Sequence, residues 1–232
     1  MAYLASGASF ITRSLTLLVV LLAALSTGCS AIPGATAPPQ KPGAAAPPEW
    51  HPGDRWVYRI NGSDKETRTI EVESTRSVSG QPYYYVIKAS DTDLLNYWTL
   101  DLGWAAVVSS DSRVVARVDP PVPWFVWPLD VGRQWTHQGR YEDRNGRHDA
   151  NSKFMVTARE IVDVPAGRFE TLKVVREGES VNSDQYWYAP EVRTYVKWIV
   201  KRGDQRIEEE LVGYKPAERL IPVPANPPPK AK

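Results

Sequence analysis

Cys29 is the only cysteine in the chain, and the residues before it indicate what its thiol can do. An uncharged apolar run covers residues 14–25, and Ser26, Thr27 and Gly28 follow it. The run is about half of the ~20 residues that a membrane-spanning helix needs, and it has the length of the apolar core of a secretion signal. The small residues offer a signal peptidase an extended, uncrowded backbone. The thiol can then act as the nucleophile that forms a thioether with diacylglycerol.

The segment Leu25-Ser26-Thr27-Gly28-Cys29 resembles the bacterial lipoprotein signal, the lipobox, which usually has Leu three residues before Cys. Here Ser26 takes that place and Leu25 lies one residue earlier. The resemblance implies a signal peptide at residues 1–28 and an acylated, palmitate-type anchor on Cys29, with a membrane as its partner. Ser30 stands where an Asp would imply inner-membrane retention, so the resemblance implies the outer membrane, facing the periplasm. The alternative is an ordinary signal peptide whose cleavage discards Cys29.

Three histidines, His51, His137 and His148, are the other candidates for site chemistry. None is spaced like a helical or hairpin zinc ligand pair. His137 and His148 would form a metal pair, with Asp149 nearby, only if they faced each other across a hairpin. The chain has no Gly-x-Ser-x-Gly elbow, no nucleotide-binding glycine loop and no available thiol once Cys29 is acylated. We therefore predict no catalytic residue, no metal and no cofactor, and a hydrolase that uses two carboxylates stays open.

The charge balance excludes one class of partner. Removal of residues 1–28 takes away Arg13, one of the 28 basic residues, and leaves 27 acidic residues in the chain. The mature chain is therefore close to neutral, and its Lys and Arg residues form no block. A protein that binds nucleic acid needs a clustered basic surface, so we expect no nucleic-acid partner.

The segment at residues 119–129 is the best candidate for contact with a ligand or a partner. It is rich in proline, which argues against a central strand for much of it, and it carries Trp124, Phe125 and Trp127. These rings either fill the space between two sheets or line a mouth through which an apolar ligand enters. An envelope protein or an apolar ligand is the expected partner at this surface.

Aromatic composition predicts the fold class. Nine Trp and eleven Tyr stand beside four Phe, and they recur in short runs with Val, Ile and Thr. Within residues 54–61, Trp56, Tyr58 and Ile60 share one face, which is the period-two pattern of a strand with one buried side. No stretch after the signal has a sustained helical period. The sequence predicts an all-β antiparallel fold, a sandwich or half-open barrel, preceded by a signal helix.

Proline-rich segments bound this β domain. Residues 29–49 and 216–232 carry too little apolar bulk to offset the entropy of ordering, so we expect a tether and a disordered tail around a domain at residues 50–215. The tether would extend by up to about 3.1 Å per residue.

The domain also shows a weak internal duplication. Gly53-Asp54-Arg55-Trp56 matches Gly132-Arg133-Gln134-Trp135, and Tyr97-Trp98 matches Tyr186-Trp187. The second copy is longer, which fits an insertion at Asn145-Gly146, a pair that favours a two-residue type I′ hairpin turn. The sequence predicts two β-meander repeats at about 50–120 and 129–214, each able to bury the other's apolar face.

A second resemblance covers part of the later copy. The motifs are Val164-Pro165-Ala166-Gly167-Arg168-Phe169, then Trp187-Tyr188-Ala189-Pro190, and a closing Val196-Lys197. They resemble a pattern in β-rich bacterial envelope proteins, and the resemblance implies an antiparallel β fold and export but no activity. The residues themselves predict a turn in which Gly167 supplies an unusual conformation and Phe169 enters the core.

These observations favour a non-catalytic lipoprotein of the cell envelope that acts as a binding or scaffolding module. A carrier of lipid or another apolar ligand in a Trp- and Tyr-lined cavity is the first alternative, and an unrecognised hydrolase is the second.

Overall fold

The computed structural model describes residues 44–78, 81–178 and 181–217, and every helix or strand assigned in these ranges is a β-strand. The predicted signal helix, most of the predicted tether and nearly all of the predicted tail lie outside the described residues. In chain order the strands are β1 Arg55–Ile60, β2 Ser63–Val78, β3 Gln81–Ala89, β4 Leu95–Thr99, β5 Gly103–Val108, β6 Val114–Pro123, β7 Gln134–His137, β8 Arg140–Asp143, β9 Gly146–Asp149, β10 Ser152–Val164, β11 Gly167–Gly178, β12 Val181–Ala189, β13 Thr194–Arg202 and β14 Gln205–Lys215.

All neighbouring strands are antiparallel, in the order β7-β10-β11-β12-β13-β14-β1-β2-β3-β4-β5-β6-β8-β9. The predicted all-β antiparallel class is confirmed. Alternation in β1 shows why the sequence adopts this fold: Trp56 and Tyr58 are buried, whereas Arg55 is exposed and Val57 is half-buried. A helix would scatter these side chains around its surface.

Two meanders account for twelve of these fourteen strands. Strands β1 to β6 form one, and β7 with β10 to β14 form the other, joined by the pairing of β14 with β1. Gly53 and Gly132 precede their first strands with φ of +94° and +88°. Their amides donate to the carbonyl oxygens of Val72 and Val156, at 2.8 Å in each case. The two Gly-x-x-Trp segments therefore share a local conformation, as related copies would.

A single long hairpin connects the two ends of the strand order. Its pairing runs without a change of register through Gln134 with Met155, His137 with Ser152, Arg140 with Asp149 and Asp143 with Gly146. Strands β7 and β8 are thus one strand interrupted at residues 138–139, and β9 and β10 are its partner interrupted at 150–151. Because β8 also pairs with β6 and β10 with β11, this hairpin joins the first meander to the second.

The tip of this hairpin differs from the predicted turn. Arg144 and Asn145 form the turn, whereas Gly146 already begins β9 and pairs with Asp143. The Asp143 carboxylate accepts a hydrogen bond from the Asn145 amide at 2.8 Å, and Gly146 takes the positive φ of +118°. The expectation of a turn centred on Asn145-Gly146 is wrong by one residue, because the Asp143 side chain fixes the turn earlier.

The structure agrees with the expectation that proline keeps much of residues 119–129 out of a central strand. Strand β6 extends to Pro123, but its pairing with β8 stops at Asp119, so Val122 and Pro123 pair with β5 alone, and residues 124–128 lie in no strand. Prolines have no amide hydrogen to give to a second neighbour. Side chains of β7 complete this edge instead, since Trp135 Nε1 donates to the Pro123 oxygen at 2.8 Å and His137 Nε2 lies 2.9 Å from the Pro120 oxygen.

The turn between β10 and β11 has the predicted features. Val164 pairs with Gly167, whose φ is +138°, and Phe169 is buried at the start of the returning strand. The Ala166 amide also donates to the Leu211 oxygen at 2.9 Å, which ties this turn to β14.

Candidate functional site

Cys29 lies outside the described residues, so its lipidation stays a prediction. The part of the predicted tether that the structure describes, residues 44–49, packs on the domain. Ala45 and Leu129 exchange two main-chain hydrogen bonds of 2.8 and 2.9 Å, and both residues are buried. The chain therefore reaches the domain before residue 50, at the connection that follows β6.

Trp50 completes this docking. Its ring lies 5.2 Å from Trp56, 5.4 Å from Tyr85 and 6.4 Å from Trp98, measured between centroids. Its indole nitrogen donates to the Arg193 oxygen at 2.8 Å. One linker side chain thus contacts β1, β3 and β4 of the first meander and the turn before β13 of the second.

The predicted contact residues Trp124, Phe125 and Trp127 lie among rings of both meanders. Trp124 is 5.2 Å from Trp98 and 4.6 Å from Tyr186. Phe125 and Trp127 lie 5.1 and 5.3 Å from Tyr188. Phe125 is buried, while Trp124 and Trp127 are only half-buried. The rings bring the two meanders together, and binding of a ligand or a partner by them stays a prediction.

A buried acid, Asp54, forms hydrogen bonds both with the segment that precedes β1 and with the last described residues. Its side chain accepts hydrogen bonds from the His51 amide at 2.8 Å, the Ala217 amide at 2.7 Å and the Arg193 guanidinium at 2.8 Å. Arg193 also donates to the Glu49 oxygen at 2.8 Å. Several hydrogen-bond donors offset the cost of burying a carboxyl group, so this cluster stabilises the fold.

A second buried acid, Glu209, is fully inaccessible to solvent on β14. Arg68 of β2 donates to it at 2.5 Å, and the Tyr195 hydroxyl donates at 2.9 Å. Burial raises the pKa of Glu209, while Arg68 acts in the opposite direction. Burial also raises the pKa of Tyr58 and of Tyr195 well above the ordinary tyrosine value, so both hydroxyls stay protonated donors.

An open pocket of about 410 Å³ lies at the interruption of the long hairpin. Residues of β7, β10, β11 and the interruptions line it: Thr136, His137, Gln138, Asn151, Ser152, Lys153, Glu177 and Gly178. The His137 ring is buried and is engaged at both nitrogens, with Nδ1 2.7 Å from the Ala150 oxygen. A histidine held in this way links strands and does not offer a free ring nitrogen as a base.

The metal pair that the sequence left open, His137 with His148, does not form. His137 pairs with Ser152 in the strand register and His148 pairs with Tyr141, so the two histidines do not face each other. Within the described residues, no group of three or more His, Cys, Asp or Glu side chains is arranged to hold a metal ion. Nor does any helix in those ranges have the length and hydropathy to cross a membrane.

Sequence reasoning missed three of these features: the docked linker, the buried Glu209 pair and the pocket at the hairpin interruption. Only Glu209 had a readable signal. Glu208, Glu209 and Glu210 are consecutive in a strand, so the middle carboxylate must face the side opposite to its neighbours. Lys197 contacts Glu208 and Glu210 on that outer side.

No protein-family model matches the chain, and no curated protein matches it. Similar solved structures include a provisionally named lipoprotein from Parabacteroides distasonis, with 12% identity over 74% of this chain and 99% of that one, at a TM-score of 0.37. A provisionally named exported protein with a YmcC-like fold from Bacteroides fragilis has 13% identity over 74% and 99%, at 0.41. The hypothetical lipoprotein YmcC from Escherichia coli has 11% identity over 73% and 87%, at 0.34.

Proposed function

We propose that the chain is an exported lipoprotein of the cell envelope, acylated at Cys29, whose β domain is a non-catalytic binding or scaffolding module. The apolar run and the small residues before Cys29 support the proposed export and acylation. By resemblance to lipoprotein signals, the outer membrane facing the periplasm is its location.

The observation that carries the non-catalytic role is how the buried acids are used. Asp54 is held by Arg193, Asp184 by Arg176 and Glu209 by Arg68, with nitrogen to oxygen distances of 2.8, 3.3 and 2.5 Å. Each pair joins strands or turns, which is a structural task. Catalytic acids instead need a place beside them for a substrate atom.

Replacement of the Cys29 thiol tests the proposed acylation. Cys29→Ser removes the only nucleophile for the thioether, so we expect the variant to remain unprocessed, with its signal segment attached and without a diacylglyceryl group. The matched control is Ser30→Ala, which keeps the thiol. Unchanged processing of Cys29→Ser would refute the proposal.

A second candidate function is a carrier of lipid or another apolar ligand. The half-buried rings of Trp124 and Trp127 favour it, because they lie where rings of both meanders meet. Trp198 adds a buried indole nitrogen that has no hydrogen-bond partner within the described residues. Native mass spectrometry of the gently extracted protein should then show a bound lipid. A lipid-free mass across several preparations would remove this candidate.

A further inference from the structure

The aromatic rings between the two meanders form a continuous series of contacts. Measured between centroids, Trp98 of β4 lies 5.2 Å from Trp124, which lies 4.6 Å from Tyr186 of β12. Tyr186 stacks on Trp198 of β13 at 5.9 Å, and Trp198 lies 6.1 Å from Tyr195 of the same strand. We call these five residues the ring series. Indole and phenol rings lose a single electron readily, and rings in contact exchange one, so an oxidation of one member can pass to the others.

The members of the ring series differ in their access to solvent. Trp98, Trp124 and Trp198 are half-buried, whereas Tyr186 has no exposed area. An oxidant in solution therefore reaches the tryptophans first. Burial raises the pKa of Tyr186 and of Tyr195 well above the ordinary tyrosine value, so both phenols stay protonated. A phenol that loses an electron becomes a strong acid, and its radical is stable where a base within hydrogen-bond reach takes the proton.

Tyr186 has such a base beside it. Its hydroxyl donates to the Asp184 carboxylate at 3.0 Å, a distance at which a proton passes between two oxygens. Asp184 is fully buried and pairs with Arg176 at 3.3 Å. The guanidinium favours the ionised carboxylate, which is the form that can take a proton.

Tyr195 has the same arrangement on the neighbouring strands. Its hydroxyl donates to Glu209 at 2.9 Å, and Glu209 pairs with Arg68 at 2.5 Å. Tyr58 stacks on Tyr195 at 4.7 Å, but its hydroxyl donates to a main-chain oxygen, which is too weak a base to take a phenolic proton. The two tyrosines that donate to carboxylates are therefore the end points for an oxidation of these rings.

Trp198 connects the two tyrosines and offers no such end point. Its indole nitrogen is buried and, within the described residues, has no hydrogen-bond partner. An oxidised indole ring is stabilised when its N–H proton passes to a base. Without a base at that nitrogen in this part of the chain, an oxidation of Trp198 moves on to Tyr186 or Tyr195.

We propose that the ring series carries a one-electron oxidation from Trp124 to Tyr186 and Tyr195. In the first step a one-electron oxidant in solution, such as the azide radical, takes an electron from the Trp124 ring. The oxidant becomes an anion and the ring becomes a radical cation. In the second step Tyr186 returns an electron to Trp124, and its phenolic proton passes to Asp184. A neutral tyrosyl radical and a neutral carboxylic acid result.

The same transfer through Trp198 takes the electron from Tyr195 and gives the proton to Glu209. This inference is independent of the proposed acylation of Cys29, because it uses residues of the β domain alone. It is also compatible with a non-catalytic domain, since the product is an oxidised side chain of the protein itself.

Pulse radiolysis of the full mature chain in azide solution tests the transfer. Azide radicals oxidise tryptophan in preference to tyrosine at neutral pH, and the two side-chain radicals absorb at different wavelengths. We expect the tryptophan radical to decay in a first-order process, at a rate independent of protein concentration, while the tyrosyl radical grows at the same rate. The growth should be slower in heavy water, because a proton moves with the electron.

The double variant Tyr186→Phe/Tyr195→Phe keeps both rings and removes both phenolic protons, so it should lose most of the first-order growth of the tyrosyl radical. The matched control is Tyr84→Phe/Tyr97→Phe. These two rings lie 6.2 Å apart, and the Tyr97 hydroxyl accepts a hydrogen bond from Arg76 at 3.4 Å. The control should keep the wild-type rate of growth.

Absence of first-order tyrosyl growth in the wild-type protein would overturn the inference. So would wild-type growth in the Tyr186→Phe/Tyr195→Phe variant, or an equal loss in both double variants. If circular dichroism shows that the first double variant does not fold, the wild-type comparison decides. Equal rates in water and heavy water would then contradict proton transfer to the buried acids.

Discussion

Arg68→Met should lower the free energy of unfolding far more than the loss of an arginine from an exposed ion pair does. Arg68 donates to Glu209 at 2.5 Å, and Glu209 has no exposed side-chain area, so the substitution leaves a buried carboxyl with the Tyr195 hydroxyl at 2.9 Å. Breaking a buried pair from one side costs about 3–5 kcal/mol. The matched control is Arg55→Met. Arg55 pairs with Glu71 at 2.6 Å, but these side chains are 52% and 36% exposed, and such pairs contribute less than about 1 kcal/mol.

The cost should depend on pH in a defined direction. Burial raises the pKa of Glu209 and Arg68 lowers it, so removal of Arg68 raises the pKa further. A carboxyl whose pKa in the folded state lies above the unfolded value of about 4.3 contributes stability that is present below that value and is lost as pH rises through the folded pKa. The free energy of unfolding of the Arg68→Met variant should therefore be lowest near pH 8 and should rise as the pH falls towards 5.

Urea denaturation at several pH values measures both effects, with the free energy of unfolding taken from the midpoint and slope. The double variant Arg68→Met/Glu209→Gln carries no ionisable group at the buried position, so it should lose the pH-dependent part of the difference from wild type. Equal losses for Arg68→Met and Arg55→Met would refute the reasoning. So would a loss in Arg68→Met that is constant from pH 5 to pH 8.

Other substitutions follow from the long hairpin and the ring cluster. Gly139→Ala should cost about 1–3 kcal/mol, because its Cβ would stand 2.6 Å from the His137 ring and 3.0 Å from the Asp119 oxygen, while Gly213→Ala, with open space around it, should stay within about 1 kcal/mol of wild type. Equal effects of the two substitutions in thermal unfolding would contradict this. His137→Ala should cost about 2–4 kcal/mol, since it removes a buried ring, leaves a cavity and takes the ring nitrogens away from the Ala150 and Pro120 oxygens, and a loss below 1 kcal/mol would contradict it. Trp124→Ala should cost about 3–5 kcal/mol in the same assay, as expected for a large ring removed from between the meanders, and a near-neutral result would show that the ring cluster does not hold the two meanders together.

Local pattern was sufficient for the strands and for some turns. Alternation of Trp56 and Tyr58 predicted β1, and the Pro165-Ala166-Gly167 sequence predicted the turn before Phe169, because both depend on neighbours in the chain. The repeated Gly-x-x-Trp segments led to the prediction of two meanders, and Gly53 and Gly132 have similar φ values in the structure.

Long-range partners were beyond the reach of local pattern. Proline in β6 argued against a central strand, but the sequence did not show what the end of β6 contacts: β5 pairs with it on one side, and the side chains of Trp135 and His137 bond to it on the other. Residues 44–49 lack apolar bulk, and their order comes from Leu129 and Arg193 far along the chain. The candidate site follows the same rule: the sequence located the rings at 124–127, while their partners in both meanders depend on the fold.

The mass of the mature amino-terminal peptide tests the lipid anchor most directly. Protein purified from membranes is digested, and the first peptide is measured by mass spectrometry. We predict a chain that begins at Cys29 and carries a diacylglyceryl thioether. A mature chain that begins after Ala31 or Ala35, or an unmodified Cys29, would contradict the anchor and the proposed envelope location together.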